Sequence, residues 1–102
     1  MPIITVIYPK TEGSHFDLEY YVKSHIPFVK ARLERFGLQE IRLMRGTAAL
    51  NGAAPEFEII GELSFPSMEQ LQAALTAHGA EIMADIPNYT DAQPAIQINE
   101  AL

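Results

Sequence analysis

The chain has 102 residues, no cysteine, and a formal net charge of −6 from 13 acidic and 7 basic side chains. That length builds one hydrophobic core and hence one domain over 1–102. Without cysteine there are no disulfides, zinc–thiolate or iron–sulfur sites and no thiol nucleophile; without clustered Lys and Arg there is no footprint for nucleic acid or an anionic membrane.

No apolar run approaches the roughly 18 residues a membrane span needs. The N-terminus enters a strand-like segment with no basic leader, so a soluble cytoplasmic protein is expected. Ile3 to Tyr8 is an unbroken apolar and β-branched run ending at Pro9, which reads as a strand buried on both faces. A loop follows, with Gly13, Ser14 and a solvated His15. Asp17 then caps a helix that Gly37 terminates, with Glu19 in the first turn where an acid suits the dipole. At helical spacing Leu18, Val22, His25, Val29, Leu33 and Phe36 share its apolar face. Pro27 lies inside this helix, cannot donate to the carbonyl of Lys23, and predicts a kink one turn after His25.

Leu38 to Arg45 alternates, with Ile41 and Leu43 on one face and Glu40, Arg42 and Met44 on the other. Residues 46–55 are small and loop-like. Glu56 to Phe65 alternates again: Phe57, Ile59, Leu63 and Phe65 point inward, and Glu58, Ile60, Glu62 and Ser64 outward. Gly61 breaks the inner row, which predicts a bulge or a close approach by a helix or ligand. Ser67 and Gln70 form a capping box for a second helix running to about His78-Gly79, with a further turn over Ala80 to Asp85. Pro87-Asn88 breaks the chain, and Ala92 to Asn99 holds the last strand.

The order β-α-β-β-α-β predicts an α+β, ferredoxin-like domain: a four-stranded antiparallel sheet with two main helices on one face. The opposite face would carry Ile60 and Met44 among polar groups. Such a mixed face is expected to pair with another copy, giving a homodimeric α/β barrel, or to line a ligand cavity.

Among candidate functional residues, His25 lies in the apolar stripe of the first helix, where a histidine is either a satisfied core residue or an acid/base. Tyr21, one turn earlier, is placed to donate to a substrate oxygen, whereas Tyr20 projects toward the surface. His78 closes the second helix, where a cation favours the dipole. Asp85 and Asn88 read first as turn formers, and Tyr89 as a cover for a pocket mouth or a neighbouring subunit. No phosphate loop, nucleophile elbow or metal-spaced histidine pair occurs, so no cofactor or metal is expected.

Three segments, Phe16-Asp17-Leu18-Glu19-Tyr20-Tyr21 with His25-Ile26-Pro27, Gly61-Glu62-Leu63-Ser64-Phe65, and His78 through Ile82-Met83-Ala84-Asp85-Ile86-Pro87-Asn88-Tyr89-Thr90, resemble the EthD family of dimeric ferredoxin-like proteins. The resemblance runs end to end. It implies a role in small-molecule catabolism, beside an oxygenase system in the founding member, and kinship with cofactor-free isomerases, cyclases and decarboxylases. Two readings follow. In one, His25 shuttles a proton on an apolar, oxygen-bearing substrate while Tyr21 or His78 polarises an oxygen, with Ile60, Met44, Tyr89 and Asn88 lining the site. In the other, the dimer binds such a molecule without turnover or assists a partner oxygenase.

Overall fold

The computed structural model describes all 102 residues. Strand β1 (Pro2–Pro9) leads into one long helical rod, α1, which changes pitch along its length. It opens as α-helix (Leu18–Tyr20), widens to a π-helical turn (Tyr21–His25), returns to α-helix (Ile26–Leu33) and tightens to 3-10 (Glu34–Phe36). Strands β2 (Glu40–Arg45) and β3 (Phe57–Ser64) form a hairpin. Helix α2 (Met68–Asp85) ends in a 3-10 turn (Ile86–Asn88), and β4 (Ala95–Glu100) completes the fold. The sheet order is β2-β3-β1-β4 with every pairing antiparallel, the ferredoxin-like arrangement.

Both helix starts follow their capping residues. Asp17 accepts from the Tyr20 amide at 3.1 Å, and the Ser67 hydroxyl accepts from the Gln70 amide at 3.2 Å. Gly37 ends α1 at φ 89°, a left-handed conformation that L side chains rarely adopt. Helix α2 runs straight through Gly79, where the sequence reading placed a stop. A Cβ there would lie 3.8 Å from Leu75, so nothing crowds the continuous helix.

The proline in α1 is accommodated differently from the expected kink. Just ahead of it, the Ile26 amide reaches back five residues to the carbonyl of Tyr21, making the wide turn of a π-bulge. A turn holding one more residue shifts the inward face by one position. Tyr21 is therefore buried at 3% exposure, and Val22, expected inside, is 48% exposed. His25, Val29 and Leu33 remain inward as the spacing predicts.

Alternate residues of β1 and β3 meet the helices. One core cluster gathers Ile4, Val29, Leu33, Phe65, Leu71 and Ala74; a second gathers Tyr8, Tyr21, Ile59, Ile86 and Tyr89. Burial of each Val, Leu, Ile or Phe side chain among them contributes about 1.5–3 kcal/mol. The far face of the sheet has no helix. There Ile3 and Ile7 of β1 are only half-buried, so that strand is not enclosed on both sides within one chain. Registered beside them are Ile60 and Met44, the Arg42–Glu62 ion pair, and Thr5 bonded to Asn99.

Candidate functional site

The π turn delivers Tyr21 and His25 into a knot of aromatic rings. Their rings stack nearly parallel, 17° apart in plane with centroids at 5.7 Å, and Tyr89 tilts against His25 at 4.6 Å. Tyr8 and Phe16 close the knot edge-on, and the Tyr8 and Tyr89 hydroxyls share a buried 2.5 Å hydrogen bond. The loop before α1 is tied to the segment after α2 by the Asp17 amide on the Tyr89 carbonyl at 2.7 Å and by Thr90 on His15. Those bonds fix Tyr89 over the start of α1.

The decisive contact is one the sequence reading did not draw. Nδ1 of His25 lies 2.8 Å from Oδ2 of Asp85, at the last position of α2. The other carboxylate oxygen accepts from the Tyr20 hydroxyl at 2.8 Å and from the Asn88 amide nitrogen at 2.9 Å. Tyr20 thus turns inward as a half-buried partner of Asp85, stacked on Tyr89, instead of facing solvent. Asp85 and Asn88 do shape the turn, but the turn serves to aim a carboxylate at a histidine.

Burial lowers the His25 pKa from its ordinary value, against the opposing pull of Asp85. For Asp85, burial pushes upward, yet the bonds from His25, Asn88 and Tyr20 together bring the carboxyl below its usual range. Near neutrality the pair is therefore a neutral imidazole donating Nδ1–H to a carboxylate. That fixes the tautomer and leaves Nε2 with its lone pair. Burial also raises the Tyr21 hydroxyl far above its ordinary range, so it stays protonated.

Neither Nε2 of His25 nor the hydroxyl of Tyr21 has a hydrogen-bond partner in the protein. Because no fully buried side-chain nitrogen or oxygen is left unpaired, each keeps a sliver of accessible surface. The Tyr21 hydroxyl stands over Gly61, where a Cβ would meet it at 3.2 Å. The glycine in the inner row of β3 marks the approach of a helix side chain.

Two clefts flank α1 beside His25. An outer groove of about 400 Å³ runs between the helices, lined by Tyr20, Ser24, Phe28, Asp85 and Asn88. An inner cleft of about 480 Å³ lies between α1 and β2, lined by Ile26, Lys30, Glu34, Ile41 and Leu43. Ser24 and Ile26, the chain neighbours of His25, each line one of them.

Of the residues singled out from sequence, His25, Tyr21, Tyr89 and Asn88 converge. His78 does not join them. Its Nδ1 sits 2.5 Å from Glu81, which Arg32 also contacts at 3.2 Å, and its ring packs edge-on against Phe36. It lies seven residues before Asp85 on the same helix, about 10 Å along the axis. Ile60 and Met44 stand on the other face of the sheet, with the sheet between them and His25. No group of three or more His, Cys, Asp or Glu side chains is placed to hold a metal.

A model of the EthD domain matches residues 14–93, which includes Tyr21, His25, Gly61, Asp85 and Tyr89. The chain belongs to the EthD family. An EthD-like protein from Ralstonia eutropha shares 42% identity over 97% of this chain and 89% of that one, with a TM-score of 0.88. An ethyl tert-butyl ether degradation (EthD) family protein from Bacillus halodurans shares 21% over 100% and 99%, with a TM-score of 0.71. SnoaB, a cofactor-independent oxygenase from Streptomyces nogalater, shares the fold at 11% identity, covering 98% and 90%, with a TM-score of 0.61. No curated protein matches the chain at a significant level. No helix is long and apolar enough to cross a membrane.

Proposed function

We propose that this EthD-family protein binds a small apolar, oxygen-bearing molecule and moves a proton on it without a cofactor. The observation that carries the reading is the His25–Asp85 pair at 2.8 Å, whose imidazole stacks on the Tyr21 ring, with Nε2 and the Tyr21 hydroxyl both free of protein partners. Nε2 takes a proton from carbon beside a substrate carbonyl. The C–H electrons move into the carbonyl, and the resulting enolate oxygen accepts from Tyr21. The imidazolium, held by Asp85, returns the proton to a different atom, which completes an isomerase-type step; in a cyclase-type step the enolate carbon first attacks a second carbonyl of the same molecule, and that carbonyl oxygen takes the proton. The fold that this chain shares with SnoaB is compatible with cofactor-free chemistry.

A second reading, binding without turnover in support of a partner oxygenase, is favoured by one observation. The His25 ring is only 4% exposed, which leaves little room for a reacting atom. In either case the bare sheet face, with Ile3, Ile7, Ile60 and Met44, supports a homodimer.

The test is an NMR titration of the His25 ring, free and with small ketones, phenols and ethers. A ring pKa that moves with a bound ligand, followed by loss of turnover in His25→Gln with the fold intact, supports catalysis. A moving pKa with no product from any ligand supports the binder. A ring indifferent to every ligand removes both.

A further inference from the structure

Asp85 divides its charge among three donors, and His25 is only one of them. Oδ2 faces Nδ1 of His25 at 2.8 Å, while Oδ1 accepts from the Tyr20 hydroxyl at 2.8 Å and from Nδ2 of Asn88 at 2.9 Å. Each donor on Oδ1 stabilises the carboxylate on its own account and weakens the hold of Oδ2 on a protonated imidazole. The basicity of His25 is therefore set partly by groups that never touch it.

Tyr20 is the better anchored of the two. Its ring stacks on Tyr89, 22° apart in plane with centroids at 6.0 Å, and Tyr89 lies against His25 at 4.6 Å. The hydrogen bond to Asp85 raises the Tyr20 pKa, so the phenol stays the donor. Tyr20 also lines the outer groove, where its hydroxyl is removable without opening the core. Around the histidine itself stand Tyr21 of α1 and Tyr89 beyond α2, with Tyr8 of β1 packed on both. Its one ion-pair partner is Asp85.

We infer that Tyr20 is a positioning residue that acts on His25 through Asp85: its hydroxyl weakens the carboxylate's stabilisation of the imidazolium and so keeps Nε2 a free base near neutrality. In the proton transfer proposed above, the same bond keeps the Nδ1 proton on the ring once the imidazolium has formed. A carboxylate that already accepts two other hydrogen bonds is a poorer base. That catalytic consequence rests on the function proposed above; the effect on His25 itself does not.

The experiment is an NMR pH titration of the His25 ring in the native protein, in Tyr20→Phe, in Asp85→Asn and in the double variant. Tyr20→Phe keeps the stacked ring and removes one donor. Proton binding by His25 is then expected to tighten about twofold, its midpoint moving up in pH, with a ring proton still on Nδ1. Asp85→Asn should move the midpoint the opposite way. Once Asp85 is replaced, the further change Tyr20→Phe should do nothing, because the path between the two residues is gone. Ser24→Ala, in the same groove, is the control and should leave the titration as it is. An unmoved or lowered midpoint in Tyr20→Phe overturns the inference. So does a shift that persists without Asp85, which would trace the effect to Tyr89 or to entering solvent. Where His25→Gln abolishes turnover, the acidic limb of kcat/KM should follow the Tyr20→Phe shift to higher pH. The shift without turnover of any ligand supports the role of Tyr20 and removes the proton-transfer reading instead.

Discussion

Asp85 holds His25 by a 2.8 Å hydrogen bond to Nδ1 while its other oxygen is occupied by Tyr20 and Asn88. The two residues lie 60 positions apart, one inside a π turn and the other at the end of the second helix. Three donors converge on this carboxylate, so its removal should be felt in more than one place. Asp85→Asn is expected to cost about 2 kcal/mol, the range for charge-assisted bonds. It should also release the fixed tautomer. Urea unfolding measures the first, and nitrogen shifts of the His25 ring the second; a ring still held with its proton on Nδ1 would show that Asp85 is not what orients it.

The same pair predicts how stability responds to pH. His25 has a lowered pKa in the folded state, so between that value and its ordinary 6.5 the unfolded chain binds more protons than the native one. Stability is therefore fully present above 6.5 and falls as the pH drops through that window, at up to about 1.4 kcal/mol per pH unit. The lowered Asp85 pKa adds a second loss only below its ordinary 3.8. Unfolding curves at several values between pH 7.5 and 5 should slope accordingly in the native protein. His25→Gln should flatten them in this window.

Tyr8, Tyr21 and Tyr89 share one aromatic cluster, yet their hydroxyls are not equivalent. Tyr8→Phe breaks a buried bond and leaves the Tyr89 hydroxyl without its partner, an expected loss of about 1–2 kcal/mol. Tyr21→Phe removes a hydroxyl that bonds nothing in the protein, so stability should change by less than about 0.5 kcal/mol. Thermal unfolding of the two variants side by side decides this. A large loss in Tyr21→Phe would mean that its hydroxyl has a structural partner.

The π turn makes its own prediction, because it exchanges the places of two neighbouring faces. Val22→Ser should be nearly neutral, within about 0.5 kcal/mol, although helical spacing places Val22 inside. Val29→Ala, one turn beyond the widened segment, should cost about 1–2.5 kcal/mol through lost burial and a residual cavity. Comparable losses at both positions would return the rod to a regular α-helix.

The exposed sheet face can be probed at the centre of its apolar cluster. Ile60 pairs across the sheet with Ile7 on one side and Met44 on the other, all on the face without helices. Ile60→Lys is expected to shift sedimentation from dimer toward monomer while leaving the far-UV circular dichroism unchanged. A wild-type chain that sediments as a monomer would remove this face as an interface.

Much of this architecture was legible residue by residue. Asp17, Gly37 and Ser67 mark helix boundaries because capping is local chemistry, settled by groups within four residues of each other. The alternation in β2 and β3 assigned Ile41, Leu43, Ile59 and Ile60 to their faces because a strand has a period of two. The same local logic put His25 inward, and the resemblance carried by residues such as His25-Ile26-Pro27 named the family. Local logic failed where one extra residue entered a turn: the π-bulge ahead of Pro27 exchanged Val22 for Tyr21, and helical spacing alone carries no signal for it. Only the tertiary structure brought Asp85 to His25 and left His78 on Glu81, since contacts across 60 residues depend on how two helices lie on a sheet. Only packing, too, set the free hydroxyl of Tyr21 over Gly61. The sequence determined the capped helices, the strands and most of the inward face, because those are local; the π turn and the docking of α1 and α2 decided the rest of that face and which side chains meet.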